Sequence, residues 1–89
     1  MTTVHLDPML RDFVPQQTLA IQSGTVLEML QELEGQYPRL RFRIRDETGT
    51  VRRFVRIFVN GNLIESLQGL ATPLKAHDEV DILHSIQGG

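Results

Sequence analysis

From Thr25 to Tyr37 the apolar residues Val26, Leu30, Leu33 and Tyr37 recur at alternating steps of four, three and four, which lays one stripe along an α-helix. Leu27 and Met29 widen the stripe, while Glu28, Gln31, Glu32 and Gly35 lie away from it. Thr25 is placed to N-cap this helix, with Glu28 at the capping-box spacing, and Pro38 stops it. It is the clearest helix in the 89 residues. A helix with one apolar face needs something flat to cover, and here that must be a sheet.

The other apolar residues are spaced for strands. Val4 and Leu6 alternate with Thr3 and His5, and Leu19 and Ile21 alternate with Ala20 and Gln22. Val55, Ile57 and Val59 give the strongest strand pattern, and Asn60-Gly61 after them is a hairpin dipeptide. Leu63-Ile64 is a brief return strand, and Val80, Ile82 and His84 alternate with Asp81 and Leu83 in a last one. Asp7-Pro8 begins a turn, and Met9, Leu10, Phe13 and Val14 form an apolar loop or a short helical turn. Leu40, Phe42 and Ile44 alternate with arginines, which leaves a further short strand open before the turn Asp46-Glu47-Thr48-Gly49. Leu67, Leu70 and Leu74 are apolar anchors in a long connection. The order β-β-α-β-β predicts an α+β chain with the β-grasp, or ubiquitin-like, fold: a mixed sheet with one main helix packed on one face. The domain is expected over 1–84, with 85–89 a flexible C-terminal Gly-Gly tail.

The length fits one domain with one core. The absence of cysteine excludes a disulfide framework, a thiolate zinc site, an iron–sulfur cluster of the ferredoxin type and a cysteine nucleophile. No apolar run approaches the roughly 20 residues of a membrane helix, and the N-terminus lacks the features of a signal peptide. A soluble, cytoplasmic protein without a membrane partner is expected. A net charge of −2 is too mild to imply nucleic acid. That charge is unevenly spread: seven of eight arginines lie between Arg39 and Arg56 with only Asp46 and Glu47, giving +5 there and −7 elsewhere. Such asymmetry suits oriented docking to a protein; a solvated loop with incidental arginines is the alternative. His5, His77 and His84 have no zinc-ligand spacing, so no metal site is expected.

The stretches Arg53-Phe54-Val55-Arg56-Ile57-Phe58-Val59-Asn60, Gly69-Leu70-Ala71-Thr72-Pro73-Leu74 and Asp78-Glu79-Val80, followed by terminal Gly88-Gly89, resemble the MoaD/ThiS family of ubiquitin-like sulfur carrier proteins. Phe54-Val55, Val59-Asn60 and Gly69-Leu70-Ala71-Thr72 look most like the carrier that serves cysteine synthesis from O-phosphoserine. The resemblance implies a carboxyl-terminal chemistry. An E1-like activating enzyme of the MoeB/ThiF type would adenylate Gly89 with ATP, and sulfur would displace AMP to leave a thiocarboxylate. A sulfur-acceptor biosynthetic enzyme would then take the sulfur. The chain would bring the reactive end and its partners the catalysis, so it would be no enzyme by itself and bind no cofactor; the ATP belongs to the activating partner.

Physical chemistry fits this picture. A carboxylate is a poor electrophile, and an acyl adenylate supplies a leaving group. Gly88 and Gly89 lack Cβ, so the backbone can thread a narrow channel. If Val55, Ile57 and Val59 face the helix, Phe54, Arg56 and Phe58 point outward, as does Leu83 in the last strand. Phe58, Leu83 and Arg56, with Ile86 in the tail, are therefore the candidate partner-binding residues. Two departures from the family pattern stand out. Ala76-His77-Asp78 replaces the usual Gly-Asp turn, so a positive φ at His77 would be strained. Leu83-His84-Ser85-Ile86-Gln87 replaces a segment commonly carrying prolines and small residues. His84 is either the fraying end of the last strand or a residue that helps a partner hold the terminus. Gly-Gly alone does not separate a sulfur carrier from a ubiquitin-like modifier that forms isopeptide bonds through Gly89. A plain β-grasp binding module with an idle terminus is the third possibility.

Overall fold

A computed structural model describes residues 1–10, 14, 18–22 and 24–84. The helix α1 runs Val26–Gln36, bounded by Thr25 and Tyr37. The Thr25 hydroxyl oxygen accepts the Glu28 N–H at 3.1 Å and donates to the Glu28 carboxylate at 3.3 Å. Both ends of the capping signal thus meet, and the helix begins where the chain's spacing places it. Val26, Met29, Leu30 and Leu33 are fully buried. The expected stripe is the face that covers the sheet.

Five strands form that sheet: β1 Thr2–Leu6, β2 Thr18–Ile21, β3 Val55–Val59, β4 Asn62–Leu63 and β5 Glu79–His84. Their order is β2-β1-β5-β3-β4. The first and last strands lie side by side and parallel, with Val4 opposite Val80 and Leu6 opposite Ile82. All other pairs are antiparallel. Hairpins alone cannot place the chain's two ends next to each other in parallel; the helical crossover does. The result is the mixed β-grasp sheet. Val4, Leu6, Leu19, Ile21, Val55, Ile57, Val59, Val80 and Ile82 form its inner face and close one core with the helix.

Turn chemistry follows the residues. Asn60 and Gly61 both have positive φ, 51° and 83°, which matches the twist of a tight hairpin between β3 and β4. The Asn60 amide also donates to Asp78 at 3.0 Å, and its carbonyl oxygen accepts the Glu79 N–H at 2.9 Å. This hairpin tip therefore holds the entrance to β5. His77 sits at φ 71°, so the left-handed turn expected by analogy is present with a non-glycine residue in it. Asp78 closes the turn by accepting the Lys75 N–H at 2.7 Å. Asp78, directly before β5, is thus a turn cap. The Asn60 amide, then the Lys75 N–H, hold the Asp78 carboxyl below its ordinary range.

No strand forms at Leu40, Phe42 and Ile44: Pro38–Leu40 is a short 3-10 turn, and Phe42 lies exposed at φ 67°. Leu40 and Ile44 are buried, so the apolar alternation was real. Pro38 and the turn after it prevent an edge from forming, and the two residues plug the core as separate anchors. Leu67 is exposed rather than an anchor; Leu74 is buried and Leu70 packs at the core's margin. The Thr72–Leu74 stretch ties down that connection instead, through Val26 N–H to Thr72 carbonyl at 3.0 Å and Leu74 N–H to Gly24 carbonyl at 2.9 Å.

Candidate functional site

The last described residue, His84, ends β5 and precedes the C-terminal segment. It is no frayed end. His84 pairs with Val55 across the β5–β3 ladder. Its backbone N–H donates to the Asp7 carboxylate at 2.8 Å, and its ring stacks on Phe54 with centroids 6.5 Å apart and 27° between planes. The His84 Nδ1 atom is buried with no hydrogen-bond partner among the described residues. Three separate elements thus fasten this point: β3, the end of β1 and the loop before β3.

Asp7 is placed there by the geometry of a parallel pair. Its own N–H donates to the Ile82 carbonyl at 2.8 Å, continuing the ladder. The ladder would next give the His84 N–H to the Asp7 carbonyl. Pro8 turns the chain instead, and that carbonyl accepts the Leu10 N–H at 2.8 Å. One carboxylate oxygen takes over the His84 N–H, while the other accepts the Met9 N–H at 2.8 Å. Burial works against the Asp7 charge. The two backbone donors and the nearby His84 ring outweigh it and hold the carboxyl below its ordinary range. In the sequence Asp7-Pro8 reads only as a turn; nothing local reveals a partner 77 positions away.

The sheet face opposite the helix carries the expected docking residues. Arg56 lies directly across from Leu83, and Phe58 across from Asp81 on one side and Leu63 on the other. Leu83 is 44% exposed, while Arg56 and Phe58 are half-buried. Arg56 donates to the Arg53 carbonyl at 2.7 Å, which lays its guanidinium back toward the β3 entrance. Farther across the sheet this face turns polar, with His5 between Glu79 at 3.1 Å and Thr18 at 3.4 Å. The apolar part therefore clusters on the β3–β5 side, toward the end of β5. Phe54, expected to share this face as part of the strand, precedes β3 in a turn and is exposed. Gly88, Gly89 and Ile86 lie outside the described residues. Among the described residues no group of three or more potential ligands could hold a metal ion, and no helix is long and apolar enough to cross a membrane.

Comparison with known proteins gives this geometry a context. The ThiS family model matches residues 9–89. The sulfur carrier protein CysO of Mycobacterium tuberculosis is 33% identical over 90 residues, covering 98% of this chain and 97% of the relative. The small archaeal modifier protein 3 of Haloferax volcanii is 34% identical over 66 residues, covering 74% of this chain and 71% of the relative. Among solved structures, CysO in the Amycolatopsis orientalis BexX/CysO complex superposes with a TM-score of 0.90 at 26% identity, with both chains covered in full (100% each). The small archaeal modifier protein 1 of Methanosarcina acetivorans gives 0.86 at 33% identity, over 99% of this chain and 95% of that one.

Proposed function

Because this chain belongs to the ThiS family, a family of small ubiquitin-like carriers, we propose that it carries sulfur on the carboxyl group of Gly89. The observation that supports this most is near end-to-end likeness to the sulfur carrier CysO. The proposed sequence has two steps. The Gly89 carboxylate attacks the α-phosphorus of ATP on an activating enzyme and releases pyrophosphate. A hydrosulfide-equivalent donor then adds to the acyl carbon, the C–O bond to AMP breaks with its electron pair going to the phosphate oxygen, and the thiocarboxylate remains. A biosynthetic enzyme takes the sulfur from there.

What this chain contributes is presentation. The last strand is anchored at His84 by Asp7, Val55 and Phe54, so the five following residues start from a fixed point. At full extension they reach roughly 16–18 Å, enough to enter a partner's cleft. Gly88 and Gly89 let that cleft close on backbone. The exposed Leu83 with its neighbours Arg56 and Phe58 gives the activating enzyme a surface near the departure point. No cofactor need reside on this chain, since the nucleotide would be bound by the enzyme.

The small archaeal modifier proteins among the relatives favour a second reading, in which the same activated glycine acylates a lysine amine. One experiment distinguishes these. Intact-mass analysis after incubation with the activating enzyme, ATP, magnesium and a sulfur donor should show one oxygen replaced by sulfur. Deleting Gly89 sets the terminus back by about 3.5 Å and should abolish the change; Gly88→Val should impair it. Covalent conjugates in place of the thiocarboxylate would support the modifier reading. Unchanged cellular function without Gly89 would defeat both.

A further inference from the structure

We propose that two arginine–phenylalanine pairs, Arg41–Phe42 and Arg53–Phe54, form a second docking surface beside the departure point of the chain, and that it meets an acidic surface on the activating enzyme. The inference rests on the carrier reading above and adds to it a recognition element on the loop between α1 and β3.

The loop's charge is only partly used within the fold. Arg45 is consumed by a bidentate bridge to Glu34, at 2.8 and 3.2 Å. Arg41 and Arg53 have no carboxylate partner among the described residues. Each lies over the ring of the next residue, at 5.2 Å from the Phe42 centroid and 5.6 Å from the Phe54 centroid. A guanidinium on an aromatic face keeps its charge and is held in a limited set of orientations. It is ready to meet a carboxylate with less ordering cost than a free side chain.

Both aromatics lie outside the buried core. Phe42 is 48% exposed and Phe54 38% exposed. Phe42 moreover holds a left-handed backbone, φ 67°, where a side chain is strained. The Arg52 side chain pins it there by donating to the Phe42 carbonyl at 2.6 Å. Phe42 thus keeps its ring at the surface in a strained backbone that Arg52 holds, an outlier that fits a use outside the fold. Arginine and aromatic residues, phenylalanine among them, are also enriched at protein interfaces.

Position selects the partner. Arg52, which fixes Phe42, is followed directly by Arg53 and Phe54, and the Phe54 ring stacks on His84. The ridge therefore borders the end of β5, beside a partner that binds the residues after His84. The balance of −7 outside the segment 39–56 repels a long polyanion. A local acidic patch on a protein meets the ridge without meeting the rest.

The test is ATP–pyrophosphate exchange catalysed by the activating enzyme encoded in the same genome, with the carrier concentration varied. The double variant Arg41→Glu/Arg53→Glu should raise KM by about tenfold or more at low salt, with kcat nearly unchanged. Neither side chain hydrogen-bonds within the described structure, so circular dichroism should show a native fold. Arg41→Gln/Arg53→Gln is the milder companion and should raise KM by a smaller factor. Between about 50 and 500 mM salt the wild-type KM should climb, while that of the charge-reversed variant should stay flat or fall. Phe42→Gly carries the sharpest readout. It should keep or raise the melting temperature, because glycine accepts the positive φ, and still raise KM. Unchanged KM in these variants would overturn the inference, as would a lower melting temperature for Phe42→Gly, which would make the ring a structural element. No exchange with the wild-type protein would remove the carrier reading and this inference with it.

Discussion

The Asp7 carboxylate accepts the His84 backbone N–H at 2.8 Å and so fastens the end of the first strand to the end of the last. The bond stands where a parallel ladder would have used a main-chain carbonyl, had Pro8 not turned the chain away. It makes a charged side chain the final rung of the central β1–β5 pair, directly before the C-terminal segment.

Removing that rung has a calculable cost. Asp7→Ala leaves the His84 and Met9 N–H groups without their charged acceptor, and hydrogen bonds of this kind contribute about 1.5–3 kcal/mol. Urea denaturation should show a loss of about 2 kcal/mol. Asp7→Asn keeps one acceptor oxygen and should lose less. If alanine costs nothing, water serves these donors equally well and the rung is ornamental.

The same carboxylate predicts an acid-side signature. Its folded-state pKa is lowered from an ordinary 3.8, so its contribution to stability is fully present above the unfolded value. That contribution disappears as pH falls through the folded value. The stability gap between wild type and Asp7→Asn should therefore be constant from neutral pH to about pH 5 and shrink below it. A gap that widens on acidification would contradict the assignment.

His77 is a position where the protein can be improved. With φ at 71°, a non-glycine side chain costs roughly 1–2 kcal/mol, and glycine gives back part of that in unfolded-state entropy. His77→Gly should stabilise by about 0.5–1 kcal/mol in thermal or chemical unfolding. A clear destabilisation would mean that the exposed His77 ring makes contacts worth more than the strain.

The ion pair between Arg45 and Glu34 joins the arginine-bearing loop to α1 with both side chains mostly buried, at 15% and 13% exposure. The Glu34 hydrogen bond raises the Arg45 pKa further above its ordinary value, against the effect of burial. Glu34→Gln should destabilise by about 1–3 kcal/mol, because it leaves a guanidinium without its counter-charge in a partly dry site. Raised hydrogen exchange confined to residues 41–52 would locate the damage; loss spread evenly over the sheet would argue against a local tie.

Leu83 and Phe58 should separate docking from folding. Leu83 faces solvent, so Leu83→Ala should change stability by no more than about 0.5 kcal/mol while weakening activation. Phe58 is half-buried and should lose both. Full activation of Leu83→Ala would show that the partner does not use this face.

Periodicity and capping by themselves determined the helix, the strands β1, β2, β3 and β5, the hairpin at Asn60-Gly61 and the inward and outward faces of β3 and β5; the return strand expected at Leu63-Ile64 instead lies at Asn62–Leu63, because Ile64 turns into the core in a 3-10 turn. These signals act within a few residues, so they survive without knowledge of the rest of the chain. The family resemblance, in turn, rested on the order of short segments and the terminal glycines. What only the tertiary structure decided comes from contacts between distant positions. The Asp7–His84 bond exists because β1 and β5 lie in parallel register, which no local pattern encodes. Phe42 looked like the middle of a strand because alternation records burial, and Leu40 and Ile44 are indeed buried. The choice of an irregular loop over a strand was made by Pro38, the Arg45–Glu34 tie and the Arg52 hold on the Phe42 carbonyl. The last two constraints span ten or more residues, and they become visible only when the helix and the loop pack against each other.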